Sequence, residues 1–142
     1  GLAGCWFGTS HFDEIKEDKL VLKDMDRDWG SDHEGHKDWA IAWKGAIEAP
    51  HSGEIKFHTE SSGKVKLSID NNLIISGRGK SSGKLFMNKG MKYPITITHA
   101  QSRKAAHLRV YWEWTGHDET IISGDYLFHN QQDIKAIRLE ND

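Results

Sequence analysis

Large apolar residues recur at every second position through successive stretches of the chain. In Trp39-Ala40-Ile41-Ala42-Trp43-Lys44-Gly45-Ala46-Ile47 the bulky side chains share one parity. Ile55, Phe57 and Thr59 alternate with Glu54, Lys56, His58 and Glu60, and Val65, Leu67 and Ile69 with Lys64, Lys66 and Ser68. Further on, Tyr93, Ile95 and Ile97 alternate with Pro94, Thr96 and Thr98, and Leu108, Val110, Trp112 and Trp114 with His107, Arg109, Tyr111 and Glu113. Successive side chains of a strand point to opposite faces of its sheet, so each stretch predicts a strand with one core face and one wet face. Turn signals lie between them: Ala49-Pro50-His51-Ser52-Gly53, Ser61-Ser62-Gly63, Asp70-Asn71-Asn72, Ser76 to Gly83, and Lys89-Gly90. Asn and Gly accept the left-handed backbone of tight turns, so Ile69-Asp70-Asn71-Asn72-Leu73 predicts a hairpin tip. Short strands punctuated by turns, with no sustained helical period, predict an all-β antiparallel sandwich. Residues 8–38 are mixed and polar, and residues 129–142 read as an edge strand, a capping segment or a linker. The sandwich is therefore drawn over residues 1–129, with 130–142 as a C-terminal capping segment or the start of a linker.

Composition narrows the classes of function. A chain of 142 residues suits one domain, which at this size buries roughly 70% of the surface its unfolded form exposes. The net charge is −2, with Lys and Arg dispersed among acidic residues, so no footprint for a nucleic-acid backbone is present. No apolar run approaches the roughly 20 residues needed to cross a bilayer, and membrane insertion is not expected. The single cysteine, Cys5, rules out an internal disulfide and reads as a small buried hydrophobe between Gly4 and Trp6. The chain opens on Gly rather than Met and is expected to be a processed or excised portion of a longer polypeptide.

Asp24, Asp26 and Asp28 have the alternate spacing of a calcium loop, but Trp29 stands where that loop needs Gly and Gly35 where it needs Glu. A solvated loop is the expectation there. His33 and His36, with Asp32, Glu34 and Asp38, lack the second separated ligand pair of a zinc site, so no metal and no cofactor is expected. Glu48, Glu54 and Glu60 fall on wet faces or strand ends, where a carboxylate stays ordinary, so catalysis is not expected. Trp39, Trp43, Trp112 and Trp114 share the parity of the core positions, which assigns them to packing rather than to a sugar-stacking platform. Parity does not assign Trp6 or Trp29.

A family resemblance runs in order along nearly the whole chain. Gly1-Leu2-Ala3-Gly4-Cys5-Trp6-Phe7 resembles the opening G-L-x-G-x-[YW]-F of PA14 domains, and Asp28-Trp29-Gly30 their D-W-G. Ala42 to Pro50 resembles R-W-x-G-x-[IL]-x-x-P, Ser52 to Phe57 resembles S-G-x-Y-x-F, and Val65 to Asp70 resembles V-x-L-x-I-D. Gly90 to Ile95 resembles G-x-x-Y-P-I, Leu108 to Trp112 resembles L-x-[LV]-x-W, and Ile121 to Phe128 the closing I-I-P-x-x-x-L-[YF]. The resemblance implies a β-sandwich module of the kind found in secreted glycosidases, surface enzymes, toxins and adhesins. In glycan-binding members, paired Asp residues of an S-D-D-G loop hold calcium, which holds sugar hydroxyls. The matching stretch here is Glu60-Ser61-Ser62-Gly63, where both carboxylates are hydroxyls. Neutral hydroxyls do not replace two carboxylates around a divalent cation, so that calcium site is expected to be absent.

The resemblance implies a non-catalytic accessory module, carbohydrate-binding or substrate-positioning, of a larger extracytoplasmic glycan-processing enzyme. Its partner would be a glycan or the neighbouring catalytic domain of the same polypeptide. The residues expected to bind are Glu60, Ser61, Ser62, Arg78, Lys80, Arg103 and Lys104, placed in loops around the Ser61-Ser62-Gly63 tip and suited to an anionic or sulfated sugar. The alternative is a purely structural domain that docks against a catalytic neighbour and shapes its cleft.

Overall fold

The alternating stretches become strands in a computed structural model that describes residues 1–8, 12, 15–28, 38–102 and 106–141. They are β1 (Leu2–Phe7), β2 (Ile15–Leu22), β3 (Asp26–Asp28), β4 (Asp38–Glu48), β5 (Gly53–Ile69), β6 (Asn72–Met87), β7 (Lys92–Ser102), β8 (His107–Trp114), β9 (His117–Ile121) and β10 (Leu127–Phe128), followed by helix α1 (Gln131–Asn141). Hydrogen bonds link the strands along the path β2-β1-β4-β7-β5-β8-β3, with β6 on β5, β9 on β8 and β10 on β4. Every pairing is antiparallel. The sheet curls into a sandwich because its apolar parities meet. Trp39, Ile41, Trp43 and Ile47 of β4 join Ile55, Phe57, Val65 and Leu67 of β5 and Leu108, Val110 and Trp112 of β8 in one buried cluster.

The corner of the sandwich lies within β5, which runs for 17 residues. Along one side, Lys56 to Ser61 pair with β8, whereas Lys64 to Ile69 pair with β7. Along the other side β6 follows it throughout. The changeover falls at a bulge: Ser61 pairs with Gly79 and Val65 with Gly77, so Ser62, Gly63 and Lys64 together oppose Arg78. A bulge bends and twists its strand, which lets one strand pass from one layer to the other. The turns expected at Ser61-Ser62-Gly63 and from Ser76 to Gly83 are therefore corrected. Ser and Gly there bend a continuing two-strand ribbon rather than end it. The expected tip at Asp70 and Asn71 is present: their φ angles are 54° and 62°, and Ile69 pairs with Asn72. Two consecutive left-handed residues make a type I′ turn, whose twist suits a hairpin.

Strand β1 is buried along its whole length, which is why its sequence does not alternate. Leu2 and Trp6 face the main core, while Cys5 and Phe7 face a second cluster with Ala40, Ala42 and Ile137. Small Ala side chains on the outer face of β4 leave room for α1 to lie close. The helix starts on a reciprocal cap. Asn130 Oδ1 accepts the Gln132 N–H at 2.9 Å, and Asp133 Oδ2 accepts the Asn130 N–H at 2.8 Å. The C-terminal segment is thus a helix packed on the sheet, not an edge strand. Among the described residues no helix is long and apolar enough to cross a membrane.

Candidate functional site

The residues singled out for binding divide between the corner and the outer face beside it. Ser61 is 4% exposed, and its hydroxyl donates to the Gly63 carbonyl at 2.6 Å. Ser62 Oγ accepts the His107 N–H at 2.9 Å and lies 3.4 Å from the His107 carbonyl, fastening the bulge to the start of β8. A carboxylate at either position could accept but not donate. Both hydroxyls thus engage backbone groups of the corner. Arg78 is exposed on β6 opposite the bulge, and Lys80 is exposed two positions further on. Arg103 and Lys104 lie outside the described residues.

Glu60 and Lys80 are brought together by strand register. The wet parity of β5 carries Lys56, His58 and Glu60; β8 sets Glu113, Tyr111 and Arg109 beside them, and β6 sets Lys84, Ser82 and Lys80 on the opposite side. Arg109 in turn pairs with Asp26 of β3, so the row Lys80, Glu60, Arg109, Asp26 alternates in sign across the sheet. Opposite charges on directly paired positions favour each other and help set the register. Over this face lies a groove of about 400 Å³ lined by His58, Thr59, Glu60, Lys80, Ser81, Ser82, Tyr111 and Glu119. Burial, followed by the negative charge of Glu60, raises the Tyr111 phenol above its usual value of 10.0. Tyr111 therefore holds its proton and offers an O–H donor in the groove. His58, Ser82, Tyr111 and Glu119 join the groove without having been expected from the sequence. Their signal was the wet parity of their strands, which gains meaning only once register sets those strands side by side.

The acidic stretch separates into structural roles. Asp24 Oδ1 accepts the Gly124 N–H at 2.6 Å. Asp26 Oδ1 lies 3.1 Å from Arg109 Nε, and Asp28 Oδ2 lies 3.0 Å from a terminal nitrogen of the same guanidinium. One arginine therefore holds β3 against β8. Asp32, His33, Glu34 and His36, with Trp29, lie outside the described residues. Trp6, Trp39, Trp43 and Trp112 are buried. Trp114 departs from its parity and is half-buried, because β8 there runs past the paired part of β5. It stacks on His117 at 4.0 Å between ring centroids and lies nearly parallel to His51 at 5.8 Å.

The sequence profile of a family described as PA14 domain matches residues 1–126. Among curated proteins, the chain is similar to Anti-sigma-I factor RsgI3 of Acetivibrio thermocellus, with 23% identity over 137 residues, covering 90% of this chain and 21% of that protein. The chain thus spans about a fifth of that relative's length. An anti-sigma factor domain-containing protein from Clostridium clariflavum superimposes with a TM-score of 0.85 at 23% identity, over 92% of this chain and 47% of that one. The PA14 sugar-binding domain from an RTX adhesin superimposes with a TM-score of 0.74 at 12% identity, over 92% of this chain and 98% of that one. At such identities these likenesses show a shared fold.

Proposed function

The chain belongs to the PA14 domain family, and from that premise we propose that it is a non-catalytic, glycan-binding domain of a larger extracytoplasmic polypeptide. The observation that carries this reading is the polar groove over β6, β5 and β8. Sugar hydroxyls both donate and accept, and the groove offers them a carboxylate at Glu60, an ammonium at Lys80, hydroxyls at Ser81 and Ser82, and the phenol of Tyr111. Lys80 supplies positive charge within the groove, which favours an acidic sugar. Binding of this kind needs no paired-carboxylate calcium site, so added calcium is expected to leave it unchanged. The likeness to Anti-sigma-I factor RsgI3 supports a regulatory parent over the glycan-processing enzyme that the family resemblance implied.

The test is a glycan array with neutral and acidic members, followed by affinity electrophoresis. Lys80→Ala and Tyr111→Phe should each weaken retention by several-fold, as loss of about 1 kcal/mol of hydrogen bonding predicts, at unchanged melting temperature. A flat array, acidic glycans included, would refute the proposal. A second reading, docking against a neighbouring domain, is favoured by a largely apolar hollow of about 650 Å³ between α1 and β1, lined by Ala3, Val21, Ile134 and Lys135 among others. It fails if excision of this domain leaves the stability of the parent unchanged.

A further inference from the structure

We propose that His58, Glu113 and Glu119 form a binding site for a divalent first-row transition ion of the zinc class. Three adjacent strands supply the ligands. His58 of β5 and Glu113 of β8 are diagonal neighbours on the wet face, since Lys56 pairs with Glu113 and His58 with Tyr111. Glu119 joins them through an irregularity of β9. Trp112 pairs with Thr120 and Trp114 with His117, which leaves Asp118 and Glu119 opposite Glu113 alone. An extra residue of this kind re-aims side chains, and here it turns Glu119 toward the same imidazole.

The distances are those of a coordination site rather than of a hydrogen bond. His58 Nε2 is 3.5 Å from Glu113 Oε1 and 3.6 Å from Glu119 Oε2. The nitrogen is buried and makes no hydrogen bond with any described group. An N–H donor prefers an oxygen at about 2.9 Å along a single direction, so one proton on Nε2 is poorly used by two carboxylates at 3.5 and 3.6 Å. Metal bonds of about 2.0–2.1 Å at a tetrahedral angle instead separate ligand atoms by about 3.3 Å. One ligand atom from each residue lies within 4.8 Å of the other two, so small rotations of the Glu side chains close the set. One nitrogen with two carboxylate oxygens suits a borderline ion with an open fourth position. Calcium, which takes six or more oxygens, is poorly matched. His58 and Glu119 also line the groove, so the ion would stand at its wall. The site is argued from its own geometry and does not depend on glycan binding.

Calorimetric titration of the full chain with zinc chloride, alongside thermal unfolding with and without zinc, tests the proposal. The expected result is saturable uptake of one ion per chain, a raised melting temperature, and no competition from excess calcium. His58→Ala and Glu119→Gln should each lower the affinity at least about tenfold, with an unchanged circular dichroism spectrum. A His33→Ala/His36→Ala variant should retain uptake. Cobalt in place of zinc should give the visible absorption of a four-coordinate ion, lost in Glu119→Gln. Failure of the wild-type chain to take up zinc would overturn the proposal. So would uptake that persists undiminished in His58→Ala and Glu119→Gln, or that is lost only in the His33/His36 variant.

Discussion

A methyl group added to Gly4 would sit 2.2 Å from the Trp43 ring, closer than side-chain carbons approach one another. The two residues are cross-strand partners in β1 and β4, so neither backbone can retreat without breaking its ladder. Gly4→Ala is therefore expected to lower stability by about 1–3 kcal/mol through overpacking, read as a fall in the urea midpoint. Ser61 makes the converse point about polar groups. Its hydroxyl donates to Gly63 from a buried position, and Ser61→Asp would replace a donor with a buried carboxylate facing a carbonyl. The expected cost is about 1–3 kcal/mol, and calorimetry should show no calcium binding in return. At this scale identity alone was a poor guide. Ser61 and Ser62 stand out in the sequence because the PA14 pattern that the chain resembles has carboxylates there, whereas their partners are backbone groups that only the fold supplies. Tyr111 carried no mark at all, because a tyrosine on a wet parity gains a role only from the groove around it.

Hairpin chemistry sets the behaviour of the longest element pair. Asp70 holds a left-handed φ of 54°, which its short polar side chain tolerates better than a methyl does. Asp70→Ala is expected to cost about 1 kcal/mol without changing the β5–β6 register, measurable by urea unfolding and by cross-strand amide contacts in nuclear magnetic resonance. Most strands were legible in the sequence, since period-two burial reports directly on which face meets the core. The same Ser/Gly composition, however, marks both a turn and a bulge. What separates them at residues 61–63 is whether a partner strand continues alongside, and that is a property of β6 rather than of the local residues. The helix was hidden for a different reason. Its polar faces outnumber its apolar one, and its clearest local signature, Asn130 with Asp133, is a cap rather than a periodicity.

Over the whole molecule, α1 ties the C-terminal segment to the outer face of the sheet. Ile137 is fully buried against Cys5, Phe7, Ala40 and Ala42 on the outer face of the sheet. Ile137→Ala is expected to cost about 2–5 kcal/mol, as seen by chemical denaturation. A cost near zero would mean that the sandwich stops short of the helix. The same view of the molecule turns the long strand β5 into a mechanical statement. Because a single uninterrupted ribbon is woven into both layers, neither layer can come apart while the other stays intact. Heating should therefore produce one sharp transition at every probe, and amide protons on opposite faces of the domain should surrender to solvent together.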